Sequence, residues 1–246
     1  MKIRFLYLLF LVPLVITETA SCTRTTESTG HSFSGLKTFV LYERPEGGYF
    51  PSDQISYDPS ISKVLNESLN LEYNHQGVGG VEISRVLLTQ IDRNSQERFF
   101  IDFDPGASTD PVFSIAPFPG KRSIGTIEAN QLVLPGNGYI YSVARINKNF
   151  LERRKFAVRK GELIEIRQPF LFVGLDGKTK VDLELRSQPS AGEVVASIRK
   201  GDEVRVVLYD GQHYLVRSAF GLLGWVKLKD VARENAVIEG LFYAGD

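Results

Sequence analysis

From Leu36 onward the apolar residues fall in short runs, many alternating with polar ones, and Gly, Pro, Asn and Asp punctuate the gaps. Such spacing predicts half-buried β-strands joined by tight turns. Leu36–Tyr42 is rich in β-formers and ends at the turn residues Arg44-Pro45-Glu46-Gly47-Gly48. Val81–Ile91 alternates at Val81 and Ile83, then Leu87 and Ile91, and its length also permits a helix. Gly79-Gly80 before it and Asp92–Ser95 after it are hairpin punctuation and favour a strand. Arg98–Phe103 is its expected partner, and Asp104–Pro111 closes that meander. Further strands are expected at Ser123–Ile127, Gly138–Ile146, Lys155–Val158, Leu163–Arg167 and Phe170–Val173, with turns at Gly136-Asn137-Gly138 and Lys160-Gly161. Only Ser60–Leu71 and Asn149–Arg154 invite a short helix. No fixed-period repeat appears. The pattern predicts an all-β chain, with a sandwich or barrel-like domain over residues 36–175.

The N-terminus departs from this pattern. Lys2 and Arg4 precede Phe5–Ile16, about a dozen nearly unbroken apolar residues, and the chain then turns small and polar through Thr19-Ala20-Ser21-Cys22. A membrane-spanning helix needs roughly 20 apolar residues, and Pro13 interrupts this run. A charged start, short apolar core and small-residue end predict a secretory signal over residues 1–21. Small residues ending in Cys resemble the lipobox of bacterial lipoproteins, although Thr19 stands where that family favours Leu. The resemblance implies that Cys22 becomes the acylated N-terminus, anchored in the membrane through its lipid. Thr23 rather than Asp follows Cys22, which in a two-membrane bacterium favours the outer membrane. Residues 22–35 are polar and small, as a flexible tether requires.

Residues 178–231 carry the most specific pattern after the leader. Leu185-Arg186 is followed by Pro189-Ser190, Val194–Ile198, Gly201, Val204-Arg205-Val206, Tyr214 and Gly224-Trp225-Val226. In that order these residues resemble the bacterial SH3-like domain, which implies a small β-barrel over 176–232 followed by a C-terminal tail, 233–246. Ligand-binding members of that family recognise cell-wall peptides or partner proteins, so Tyr209, His213, Tyr214, Trp225 and Arg186 form the candidate binding surface. His213-Tyr214 stands where the family often has paired Trp or Trp-Tyr, and Glu184 where it often has Asn.

Charge adds little about partners: 29 basic and 29 acidic residues balance, which gives no footprint for nucleic acid. The distribution is uneven, with 9 basic and 14 acidic residues in 1–120 against 20 and 15 in 121–246. The second half therefore suits an anionic surface or the acidic first half. Arg153-Arg154-Lys155 with Arg159-Lys160 is its densest basic cluster.

Cys22 is the single cysteine, so no disulfide within the chain is expected and no Cys–His peptidase pair is available. His31, His75 and His213 are scattered without metal-type spacing, and no metal or cofactor is expected. Asp102 and Asp104 share one strand face, the pairing on which a carboxylate-dependent wall or glycan hydrolase would depend. The leading expectation is a non-catalytic module directed at the wall or at envelope proteins. If Cys22 is the anchor, Cys22→Ala moves the protein from the membrane pellet to the soluble fraction, and retention in the pellet overturns the assignment.

Overall fold

The computed structural model describes residues 33–45, 48–65, 83–106, 110–120 and 122–245. The leader, Cys22, His31, His75 and most of the tether lie outside them. Among the described residues the chain is all-β, with seventeen strands and one short 3-10 helix.

The chain starts with β1 (Lys37–Tyr42) and β2 (Asp53–Tyr57). It then leaves that sheet and builds a second one: β3 (Ser62–Val64), β4 (Ser84–Thr89), β5 (Phe99–Asp104), β6 (Val112–Pro117) and β7 (Gly125–Glu128), an antiparallel meander. It returns as β8 (Gln131–Leu134), parallel to β2, and continues through β9 (Ile140–Ala144), β10 (Glu152–Arg159) and β11 (Glu162–Glu165). The first sheet is ordered β1-β2-β8-β9-β10-β11. Ile55, Leu132, Leu134 and Ile140 from it share one core with Val86, Ile101, Phe103, Phe113 and Ile115 from the meander. A core shared between two sheets is a sandwich, so of the two expected forms the sandwich holds and the barrel does not.

The third sheet comprises β12 (Leu171–Lys178), β13 (Leu183–Arg186), β14 (Val194–Ile198), β15 (Glu203–Tyr209), β16 (Tyr214–Ser218) and β17 (Leu223–Val226). Its order is β12-β15-β16-β17-β13-β14, and it too stays open rather than closing into a barrel. After β12 the chain bends away, and Thr179 bridges Ile238 instead of continuing the sheet toward β14. The strand pattern is legible residue by residue: Val204, Val206, Tyr214 and Val216 point inward and join Leu185 and Ile198 in a second core. Gly224 is set by sterics, since a Cβ there would stand 2.7 Å from Leu185 Cβ.

Several expectations need correction. Asn149–Arg154 is no helix: Glu152–Phe156 pairs with Ala144–Ile140, which puts Arg154 and Phe156 on the core side and Arg153 and Lys155 outward. Ser60–Leu71 is no helix where it is described, because Ser62–Val64 pairs with Thr89–Leu87. The boundary drawn after 175 falls inside β12, and Phe170–Val173 feeds the C-terminal sheet. The tail expected at 233–246 packs inward over its described residues, for Ala236, Ile238, Leu241, Phe242 and Ala244 are all buried.

That returning segment is bound on both sides. Lys180 N–H donates to Val237 O, and Glu239 N–H to Lys178 O, tying it to the third sheet. Asn147 N–H donates to Ala244 O, Ala244 N–H to Lys148 O, and Phe242 N–H to Asn149 O, tying it to the loop after β9. Between them lies Arg145, 4% exposed. Its guanidinium donates to the carbonyls of Asn149, Gly240 and Phe242 and lies 4.7 Å over the Phe242 ring. Burial pushes it down to about 10. Arg145→Ala leaves three inward carbonyls without this donor and lowers unfolding free energy by about 3 kcal/mol or more, read as a lower urea midpoint. Arg145→Lys restores little, because one ammonium cannot span the fork.

Candidate functional site

The hairpin joining β15 to β16 gathers three of the five candidate binding residues. Tyr209 and Tyr214 are register partners. Their turn is fixed by Asp210, whose Oδ1 accepts the amides of Gln212 and His213, while Gly211 takes φ +101°. The Tyr209 hydroxyl donates back to Gly211 O at 2.6 Å. His213 is buried with Nδ1 3.4 Å from Asp210 Oδ2.

These rings do not form an open platform. Tyr209 and Tyr214 stack on each other at 4.6 Å, and Phe150 meets both edge-on at 5.8 and 6.3 Å. Asn149 Nδ2 donates to Tyr214 Oη at 3.3 Å and to Asp230 Oδ1 at 2.5 Å. Tyr214 is 2% exposed. The aromatic cluster thus closes against Asn149-Phe150, the segment entering β10. Burial, then the neighbouring Tyr209, pushes the Tyr214 phenol well above the ordinary range, and burial raises Tyr209 as well.

Trp225 and Arg186 lie elsewhere. They are register partners across β17 and β13. Trp225 also faces Leu215, whose side points away from that of Tyr214. Arg186 is exposed, bonded to Glu184 Oε2 at 2.6 Å and to Gly192 O at 3.1 Å. The five residues therefore occupy two opposite faces and do not converge on one ligand.

The carboxylates considered for catalysis are engaged. Arg85 binds both oxygens of Asp102, at 2.8 and 3.2 Å, and lies 3.8 Å over the Phe100 ring. Asp104 Oδ1 accepts the Gly106 amide at 2.9 Å. Among the described residues no group of three His, Cys, Asp or Glu is placed to hold a metal.

A different feature stands at the far end of the third sheet. The β16–β17 hairpin carries Phe220 at its tip, 89% exposed. The tip is braced: Leu222 N–H donates to Ser218 Oγ at 3.0 Å, Gly221 N–H donates to Ser218 O, and Gly221 adopts φ +98°. Beside it opens a groove of about 660 Å³ lined by Ala196, Ile198, Glu203, Ser218, Phe220 and Leu222, among others. The signal for it was present in sequence. Ala219-Phe220-Gly221 places a large aromatic in a Gly turn, where polar residues are usual.

Comparison of the chain with protein-family models, with curated proteins and with solved structures found no match.

The phenols give a direct check of the closed cluster. In an alkaline titration followed by phenolate absorbance, Tyr209 and Tyr214 ionise above the ordinary value near 10. A phenol raised in the folded state contributes stability below its unfolded pKa and loses it as pH rises through its folded one. Tyr214→Phe therefore flattens the fall in stability above pH 10, measured by denaturant midpoints.

Proposed function

We propose that this chain is an exported, lipid-anchored envelope protein whose C-terminal sheet is an SH3-like binding module, non-catalytic and directed at a partner protein or the peptide part of the wall. Support for the SH3-like reading comes from the shared core of Leu185, Val204, Val206, Tyr214 and Val216. Further support is the return of Val237–Glu239 beside Lys178–Lys180 after the 3-10 turn at Arg233–Asn235. The anchor reading rests on the leader and Cys22, and the outer membrane is its destination in a two-membrane bacterium.

The observation that carries a binding role is Phe220 on its braced hairpin beside the groove. A fully presented aromatic next to apolar Ala196, Ile198 and Leu222 is a contact surface in waiting. Asp202 and Glu203 line its edge, so the groove suits a polypeptide offering an apolar side chain beside a cationic group. A glycan is a poorer fit, because Tyr209 and Tyr214 spend their faces on each other and on Phe150. The alternative, a carboxylate-dependent hydrolase, draws no support from Asp102, whose two oxygens are held by Arg85.

A photo-crosslinker placed at position 222 in intact cells captures a protein or wall-peptide adduct, and Phe220→Ser reduces the yield at least tenfold while the urea midpoint is unchanged. An undiminished adduct in Phe220→Ser, or none in the parent protein, overturns the assignment of this groove.

A further inference from the structure

The outer face of the first sheet is buried along β2 and β8, at Ser56, Gln131 and Val133, and becomes partly exposed at β9 and β10, a surface that the binding reading leaves unused. Register sets two rows across it. One runs Thr38, Ser56, Val133, Tyr141, Lys155, and the other Val40, Gln54, Gln131, Val143, Arg153. Neither row contains a carboxylate, and both end in a cation on β10. The contrast with Arg154 is direct: it points to the core side and is held by Glu152 at 2.6 Å and Glu165 at 3.5 Å.

Aromatic rings rather than acids surround the two outward cations. Lys155 Nζ stands 3.4 Å from the Tyr139 ring centre and 6.0 Å from that of Tyr141. The Arg153 guanidinium lies 5.7 Å from the Phe172 ring, and Phe172 is half exposed. Cations interleaved with Tyr and Phe are the residue set of a membrane–water interface, where the rings sit at headgroup depth and the cations meet phosphate. One ring face occupies only one side of an ammonium, and three N–H donors leave the others for phosphate oxygens.

The position of the tether adds an independent constraint. The described chain begins at Phe33, whose ring packs 5.0 Å from that of Tyr141. Residues 23–32 separate it from Cys22. Covalent geometry limits that length of chain to about 38 Å. On the anchor reading, a lipid on Cys22 would therefore keep this face within reach of the bilayer.

We propose that the outer face of β9 and β10, centred on Tyr139, Tyr141, Arg153 and Lys155, rests on the anionic phospholipid headgroups of the membrane that holds Cys22. This deepens the anchor reading and rests on it. The groove beside Phe220 is then left for a partner.

The test uses the full-length protein reconstituted into vesicles of phosphatidylcholine, with or without phosphatidylglycerol. Lysines are acylated with a membrane-impermeant reagent and read peptide by peptide by mass spectrometry. Labelling of Lys155 is expected to slow about fivefold in the anionic vesicles, the factor for one charge near such a surface. It recovers in high salt, while Lys180, Lys227 and Lys229 are unchanged. Equal labelling of Lys155 in both vesicle types overturns the proposal, as does protection of Lys227 and Lys229 instead. The mass of the N-terminal peptide in the same digests reports separately whether Cys22 is acylated. Loss of the anchor reading and loss of this face are thus distinguishable.

Discussion

One buried guanidinium holds the two halves of this molecule in register. Arg145 follows β9 directly, and its fork closes on the carbonyls of Asn149, Gly240 and Phe242, two of them nearly a hundred residues away. A charge this deep is costly unless its donors are satisfied. The three carbonyls engage Nη1 and Nη2, while Nε has no hydrogen-bond partner. The Arg145 amide donates to Asn130 Oδ1, and Asn130 Nδ2 donates to buried Asp53, which Arg44 grips from the other side. Burial raises the Asp53 carboxyl against the pull of Arg44 and Asn130. A single polar chain thus runs from the β1–β2 connection to the C-terminal segment. Asymmetric costs make it specific, since each member is tolerable only while its neighbours are present.

This junction also determines which surfaces remain for other molecules. Asn149 and Phe150 lie next to the Arg145 contact and receive the Tyr209–Tyr214 hairpin. Rings that a solitary module would present to a ligand are consumed in joining it to the sandwich. What stays outside is the opposite end, Phe220 with its groove, and the outer face of β9 and β10. The proposed membrane face, on β9 and β10, and the proposed groove, beside the β16–β17 hairpin, thus draw on different strands.

Strands with an alternating pattern were legible in the sequence. Ser84–Thr89 against Phe99–Asp104 and the inward set Val204, Val206, Tyr214 and Val216 follow from period two alone. Gln131–Leu134 was not legible, because it is buried on both faces and pairs in parallel with β2, so alternation disappears. Asn149–Arg154 read as helical because its local composition tolerates a helix; pairing with β9 overrode that preference. Ala236 to Ala244 gave no strand signal, since its backbone is satisfied by isolated bridges and its apolar residues answer to two different partners.

The candidate site divides the same way. Tyr209, Tyr214 and Trp225 were read as members of one binding surface, yet sequence cannot say which face a neighbour will cover. Local chemistry determined the all-β class, the turn at Asp210-Gly211 and the single thiol. Those depend on residues within a few positions of each other. Only the tertiary structure decided that the tyrosines face inward, that the last residues are core and that Phe220 is bare. Each of these depends on contacts tens of residues apart, whose closure no local pattern encodes.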